Sequence, residues 1–238
     1  MIYSVKLELG RVMVSFGTTE ELQIATAWND LTSSLAGQAQ AAVTLLKNGG
    51  VVAYPTDTLY GLGADFSSPR AVQRVLDIKG RALEMGLPLL LADADDLALV
   101  AAAIPDAVLT LARRFWPGAL TLVVPRSSVV PDIVTGGRNT VAVRVPDHPV
   151  PVALARGLGR PITGTSANLA GQPSALTAED VRSGLGESVD LIIDGGPVHL
   201  GTQSTIIDAT GPVLKLVRLG AISLSDIRSV YQGEVVEI

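Results

Sequence analysis

The 238-residue chain contains no cysteine and only two histidines, His148 and His199. Disulfides and thiolate metal sites are thereby excluded, and two imidazoles are too few for a histidine-rich metal cluster. Any metal is therefore expected to arrive mainly with a substrate. A formal net charge of -5 argues against coating a nucleic acid by bulk electrostatics but leaves room for a local basic groove. Direct RNA binding stays open, without support. No apolar run approaches the roughly 18 residues that span a bilayer. The opening MIYSVKLELGRVMVSF lacks the basic leader and long apolar block of a signal peptide. The expectation is a cytoplasmic protein with no membrane segment. Serine-hydrolase elbows, zinc-protease HExxH helices, Walker phosphate loops and dinucleotide glycine fingerprints are also absent, so those chemistries have no support.

With 47% hydrophobic residues the chain can bury a sizeable core, and no internal repeat or low-complexity linker divides it. The opening stretch alternates imperfectly and suits one or two strands or an added arm. Residues 34–48 form an alanine-rich run with leucines on one side, stopped by Asn48-Gly49-Gly50 as a helix end. VVAYP follows, a short β-branched strand halted by Pro55, and then the loop PTDTLYGLG at 55–63. The spacing predicts a helix over 70–79 and a buried strand over 87–93. It also predicts helices over 93–104 and 106–116, each opened by aspartates suited to the N-terminal end of the helix dipole. Asp93, Asp95 and Asp96 read as caps. Strands over 119–125 and 140–146, a helix over 150–159 and a strand running into a small-residue loop over 162–174 come next. A helix over 179–185 and strands over 191–196, 204–210 and 213–220 complete the pattern. Helices and strands interleaved throughout imply one domain of α/β type.

Four clusters carry groups that could do chemistry. In the 55–63 loop, Thr56, Asp57, Thr58 and Tyr60 stand at a strand end beside Gly61 and Gly63, which let backbone approach a ligand. The same residues also suit a turn whose polar side chains satisfy local backbone. Lys79 and Arg81 flank Gly80 at a helix end, where they could straddle a triphosphate or simply complement the dipole. Gly164, Ser166, Asn168 and Ser174 offer hydroxyls, an amide and backbone N–H groups within a few residues, as a phosphate cradle or as a loop of Ser and Thr turns. Ser204, within TQST, can serve a sheet edge or a ligand. Arg144 and Arg218 lie on strands, and either one needs an anionic partner if it points into a cavity. His148 reads as a structural turn residue without a proton-transfer role.

The order and spacing of PTDTLYGLG, KGR, PGALTLVVP, AVRVP, TSANLAGQPS, STIID and LVRLG resemble the YrdC-like threonylcarbamoyl-AMP synthase family. The resemblance runs over 34–228 as the catalytic domain, with 1–33 as an N-terminal extension and 229–238 as a C-terminal tail. It implies an α+β fold with interleaved elements, in which an open, twisted mixed β-sheet flanked by helices surrounds a large cavity. It also implies that L-threonine, bicarbonate and ATP are joined for tRNA threonylcarbamoyladenosine synthesis, with Mg²⁺ carried mainly by phosphates and a downstream tRNA-modifying machinery as partner. By resemblance Thr56, Thr58, Gly164 and Ser204 serve threonine. Lys79, Arg81, Thr121, Ser166, Asn168, Ser174 and Arg218 serve ATP, with Lys79 and Arg81 also catalytic, and Tyr60 and Arg144 line the cavity. The chain departs from the family pattern at Ala82, where a proline is common, and at Leu87 and Ala92, where some members carry asparagine and histidine. Residues 82–87 are expected as a flap over ATP, and the extra domain of longer members is not expected after LVRLG. Two other readings stand beside this one: a domain that adenylates free carbamate, and a noncatalytic RNA- or nucleotide-binding module.

Overall fold

The computed structural model describes residues 6–8, 11–13, 33–80 and 86–238. Most of the expected N-terminal extension and of the expected flap, together with Arg81, therefore lies outside the described residues. Two short strands near the N-terminus, β1 (Lys6–Glu8) and β2 (Arg11–Met13), pair antiparallel.

The alanine-rich run forms helix α1 (Ser33–Lys47), which buries Ala39, Ala42, Val43 and Leu46 along one helical stripe. It ends as its glycines predict: Gly49 adopts φ 80°, and the N–H groups of Gly49 and Gly50 bond back to Leu46 and Leu45. β3 (Val52–Tyr54) follows, then β4 (Gly61–Gly63), paired antiparallel to it. The sequence suggested only a loop over 61–63. The strand is held between β3 and Thr165–Ser166, and the Tyr54 ring lying across it requires its glycines: a Cβ on Gly61 or Gly63 would come within 2.7 or 2.8 Å of that ring. The Tyr54 hydroxyl donates to the Thr163 carbonyl at 2.8 Å, and burial pushes its pKa well above the usual phenol range.

Helix α2 (Pro69–Lys79) starts on the Ser68 cap and ends at Gly80 in the left-handed conformation, φ 56°. β5 (Leu89–Leu90) leads to the Asp93 cap, where Asp93 and Asp96 form a capping box for a single 3₁₀ turn and the short helix α3 (Leu97–Val100). The helix expected to reach Ile104 stops at Val100. Ala101 turns extended, and the Ala102 N–H bonds the Pro125 carbonyl, tying this stretch to the sheet instead. The remaining elements are α4 (Asp106–Phe115), β6 (Leu120–Pro125), α5 (Asp132–Thr135), β7 (Thr140–Arg144), α6 (Pro149–Leu158), β8 (Ile162–Thr163) and β9 (Thr165–Ser166). They are followed by α7 (Ala178–Leu185), β10 (Leu191–Ile192), β11 (Thr205–Asp208), β12 (Leu214–Arg218), α8 (Leu224–Val230) and β13 (Val235–Glu237). No described helix is long and apolar enough to cross a membrane.

The larger sheet is mixed, in the order β13-β12-β11-β6-β7-β5-β8, and a smaller one runs β10-β3-β4-β9. Residues 235–237, within the stretch read as a tail, pair parallel to β12 and form an edge of the larger sheet. Helices α1 and α6 pack together over one apolar cluster with Leu90 and Ile162, while α2, α4 and α7 cover a second. This is the mixed, interleaved α/β architecture that the pattern implies.

The sheets join at Gly164. β8 pairs with β5 in one sheet, β9 pairs with β4 in the other, and the Gly164 N–H between them bonds the Pro88 carbonyl at 2.8 Å. A Cβ at Gly164 would meet both methyls of Leu90 at 2.8 and 2.9 Å. Gly164→Ala should therefore cost about 1–3 kcal/mol by overpacking in urea unfolding. The cost should shrink in a Leu90→Ala background, where the obstructing methyls are gone.

Candidate functional site

A cavity with about 130 Å³ of room for the centres of water-sized spheres draws its wall from both sheets. The 56–61 stretch and Gly164–Ser166 come from the side of the smaller sheet. Pro88, Leu90, Thr121, Arg144, Ser204 and Arg218 come from the side of the larger. Among the described lining residues the charges are Arg144 and Arg218, with no carboxylate. The Arg144 charge is balanced by Asp57 behind the wall, and what the wall presents is a set of hydrogen-bond donors suited to an acceptor-rich ligand.

The hydroxyls in this wall have assigned directions. Thr56 Oγ1 donates to the Leu59 carbonyl at 2.6 Å and accepts the N–H groups of Thr58 and Leu59. Arg144 Nη1 donates to Thr58 Oγ1 at 2.8 Å, so Thr58 keeps its own proton for Thr56, 2.9 Å away, or for an acceptor in the cavity. Arg144 also donates through Nε to the Gly118 carbonyl and through Nη2 to Asp57 Oδ1. Both partners of this ion pair are buried. Burial pulls the Arg144 pKa down, and Asp57 works against that shift. Across the cavity, Thr121 Oγ1 and Ser204 Oγ are 2.8 Å apart, and Arg218 donates to the Ser204 carbonyl and hydroxyl. Tyr60 lines the cavity, but its hydroxyl is held by the backbone of Gly195 and Gly196.

Of the sequence-predicted residues, Thr56, Thr58, Tyr60, Thr121, Arg144, Gly164, Ser166, Ser204 and Arg218 thus come together on one cavity wall. Lys79 and Asn168 stand behind it. The Lys79 ammonium, almost fully buried, donates to the carbonyls of Ser166 and Asn168 and to Asn168 Oδ1. Ser174 is half-buried further along the same loop, and Arg81 lies outside the described residues. Asp57 reads in the sequence as a ligand or turn group of the 55–63 loop and not as the counterion of Arg144, and Gln203, within TQST, carries no assigned role there. For Asp57 the available signal was the need of Arg144 for a buried anion. Leu87 is packed in the apolar core, and Ala92 faces a second hollow, so neither departure from the family pattern lies on this wall.

That second hollow, about 550 Å³ on the same measure, lies beside Trp116, Asp93, Asp147, His148 and Arg156. His148 serves as the cap of α6: its Nδ1 accepts the Val150 N–H at 3.2 Å, which requires an unprotonated nitrogen.

The model of the Sua5, YciO and YrdC family, described as "Telomere recombination", matches residues 44–220. Threonylcarbamoyl-AMP synthase of Pyrococcus abyssi is 42% identical over 194 residues, covering 82% of this chain and 57% of that protein. The chain thus spans little more than half the length of that relative. The enzyme of the same name from Idiomarina loihiensis is 42% identical over 174 residues, covering 71% of this chain and 91% of its own length. A crystal structure of P. abyssi Sua5 complexed with L-threonine superposes with a TM-score of 0.81 at 40% identity, covering 83% of this chain and 58% of that one.

Asp57→Asn would leave Arg144 buried without its counterion, and should lower unfolding free energy by about 3–5 kcal/mol in urea titrations. His148 supplies a pH dependence. Its pKa lies below 6.5, chiefly through burial, with Asp57 opposing, His199 adding and Asp147 opposing. Below that value the unfolded ring binds a proton that the folded ring resists, so the contribution of His148 is complete above pH 6.5 and declines as pH falls. Unfolding free energy of His148→Asn, which keeps a side-chain cap acceptor, should change less than that of the parent between about pH 7.5 and about pH 5.

Proposed function

This chain belongs to the Sua5, YciO and YrdC family, and on that premise we propose that it joins L-threonine, bicarbonate-derived CO₂ and ATP into threonylcarbamoyl-AMP and pyrophosphate. The observation that carries the reading is the cavity wall, where two arginines and a set of pre-oriented hydroxyls from distant segments converge without a carboxylate among the described residues.

Such a wall suits a reaction between anions. Threonine's amine adds to CO₂ and loses a proton, giving a carbamate. A carbamate oxygen then attacks the α-phosphorus of ATP, the bond from that phosphorus to the bridging oxygen breaks, and pyrophosphate leaves with the bond's electron pair. No protein nucleophile is needed, so the protein's task is orientation and charge compensation. Thr58 and Arg144 form one donor group, suited to the threonine and carbamate end. Arg218, Thr121 and the stretch from Gly164 to Ser166 form the other, suited to the nucleotide. Among the described residues no group of three or more His, Asp or Glu stands together, so Mg²⁺ would be carried by phosphate oxygens and water. The product is a mixed anhydride that water can attack, which gives an enclosed site a chemical purpose. Its consumer is a machinery that transfers the threonylcarbamoyl group to tRNA.

The test is pyrophosphate release from ATP with threonine and bicarbonate omitted in turn. Release is expected only with both present; release driven by carbamoyl phosphate, or none under any combination, would overturn the reading.

A further inference from the structure

The KGR motif places two cations one residue apart, and the sequence treats them alike. The structure shows what the first of them meets. Lys79 is 1% exposed, at the last turn of α2, and does not belong to the cavity wall. Its ammonium meets the Ser166 carbonyl at 2.6 Å, Asn168 Oδ1 at 2.8 Å and the Asn168 carbonyl, with Ser166 Oγ further off at 3.4 Å. An ammonium has three N–H donors and no acceptor, and these oxygens supply a partner for each. The link is reciprocal, because the Ala170 N–H bonds the Lys79 carbonyl at 3.3 Å.

From this arrangement we infer that Lys79 is a positioning residue, the anchor that sets the shape of the Ser166–Gln172 loop, and that it does not itself hold substrate phosphate. The internal bonds of the loop follow from the anchor. A cation can face only the oxygen of the Asn168 amide, so the Nδ2 side must point away, and it donates to the Gln172 carbonyl at 2.5 Å. Ser166 Oγ donates to the same Asn168 oxygen at 2.6 Å, which turns the serine oxygen's lone pairs toward other partners. The Asn168 N–H closes back on the Ser166 carbonyl at 3.0 Å. Moving the ammonium to a phosphate would remove the group that orients Asn168 and, through it, Ser166 and Gln172. The adjoining Gly80, in its left-handed conformation, ends the helix immediately after the anchor. Lysine thus fixes the loop.

The substrate-dependent part of the test rests on the synthase reading, whereas the ligand-free part does not. In the full-length protein without ligand, Lys79→Met should speed amide hydrogen exchange at Asn168 and Ala170 at least tenfold, while amides in β6 and β7 stay within twofold of the parent. In turnover the same variant should raise the Michaelis constant for ATP at least tenfold and leave that for threonine within twofold, a split that general loosening of the fold would not produce. Unchanged exchange at Asn168 and Ala170 would overturn the inference. The parent protein supplies a measurement that does not depend on the variant folding. The ¹⁵N ammonium resonance of Lys79 should be protected from solvent exchange in the ligand-free state and stay so after ATP and Mg²⁺ are added. Exchange as fast as that of exposed lysines, or a hydrogen-bond coupling to ³¹P, would refute it. The expected faster loop exchange in Lys79→Met together with a failed pyrophosphate assay would leave the anchor standing and remove only the synthase.

Discussion

The rest of the site depends on one buried guanidinium. Arg144 sits at the end of β7 in the larger sheet, and its N–H groups reach Gly118, Thr58 and Asp57. The last two belong to the loop between β3 and β4 of the smaller sheet, so a single side chain ties the two sheets across the cavity. A planar fork can do this because its donors leave in fixed, divergent directions, which a lysine point charge would not provide. Burial makes the bond set obligatory: without Asp57 the cation would have no counterion, and without the cation Thr58 would lose the donor that sets its hydroxyl's polarity.

Much of this was legible in the residues. Local rules carry the helix ends, since the glycines after α1 and the aspartates at 93 and 96 act through backbone geometry within a few residues. The clustering of Thr56, Thr58, Gly164, Ser166 and Ser204 followed from motif order, because their segments meet only when the strands pair. What escaped was pairwise and long-range. Strand alternation places Arg144 on a face but does not reveal that the face is interior, so Asp57 read as a turn residue. KGR read as a phosphate clamp or a basic helix end because spacing along a helix does not show that the Lys79 ammonium meets the carbonyls of Ser166 and Asn168. The helix read through Ile104 failed at Ala101 for the same reason. Alanine favours a helix locally, but the end of β6 offered the backbone bonds elsewhere.

The cavity also shows how a chain of net charge -5 can present an interior of hydrogen-bond donors. The acids near the site do not face into it: Asp57 is paired with Arg144 and balances its charge, while Asp93 and Asp96 cap a turn at the far end of β5. Overall charge governs behaviour at long range, whereas the wall is read by a ligand at contact distance, where two arginines and oriented hydroxyls decide.

The Tyr54 ring lying across Gly61 and Gly63 has an evolutionary consequence. Any side chain added to either glycine collides with the ring, and any shrinkage of the ring leaves a hole over two bare backbones in the core. Gly61 and Tyr54 are therefore locked to each other, and a lineage could change them only in concert, through an intermediate less stable than either end. Across relatives, a larger residue at the position of Gly61 should be accompanied by a smaller one at that of Tyr54, whereas Gly63, which also faces the Thr163 carbonyl at 2.5 Å, should stay glycine whatever the ring does.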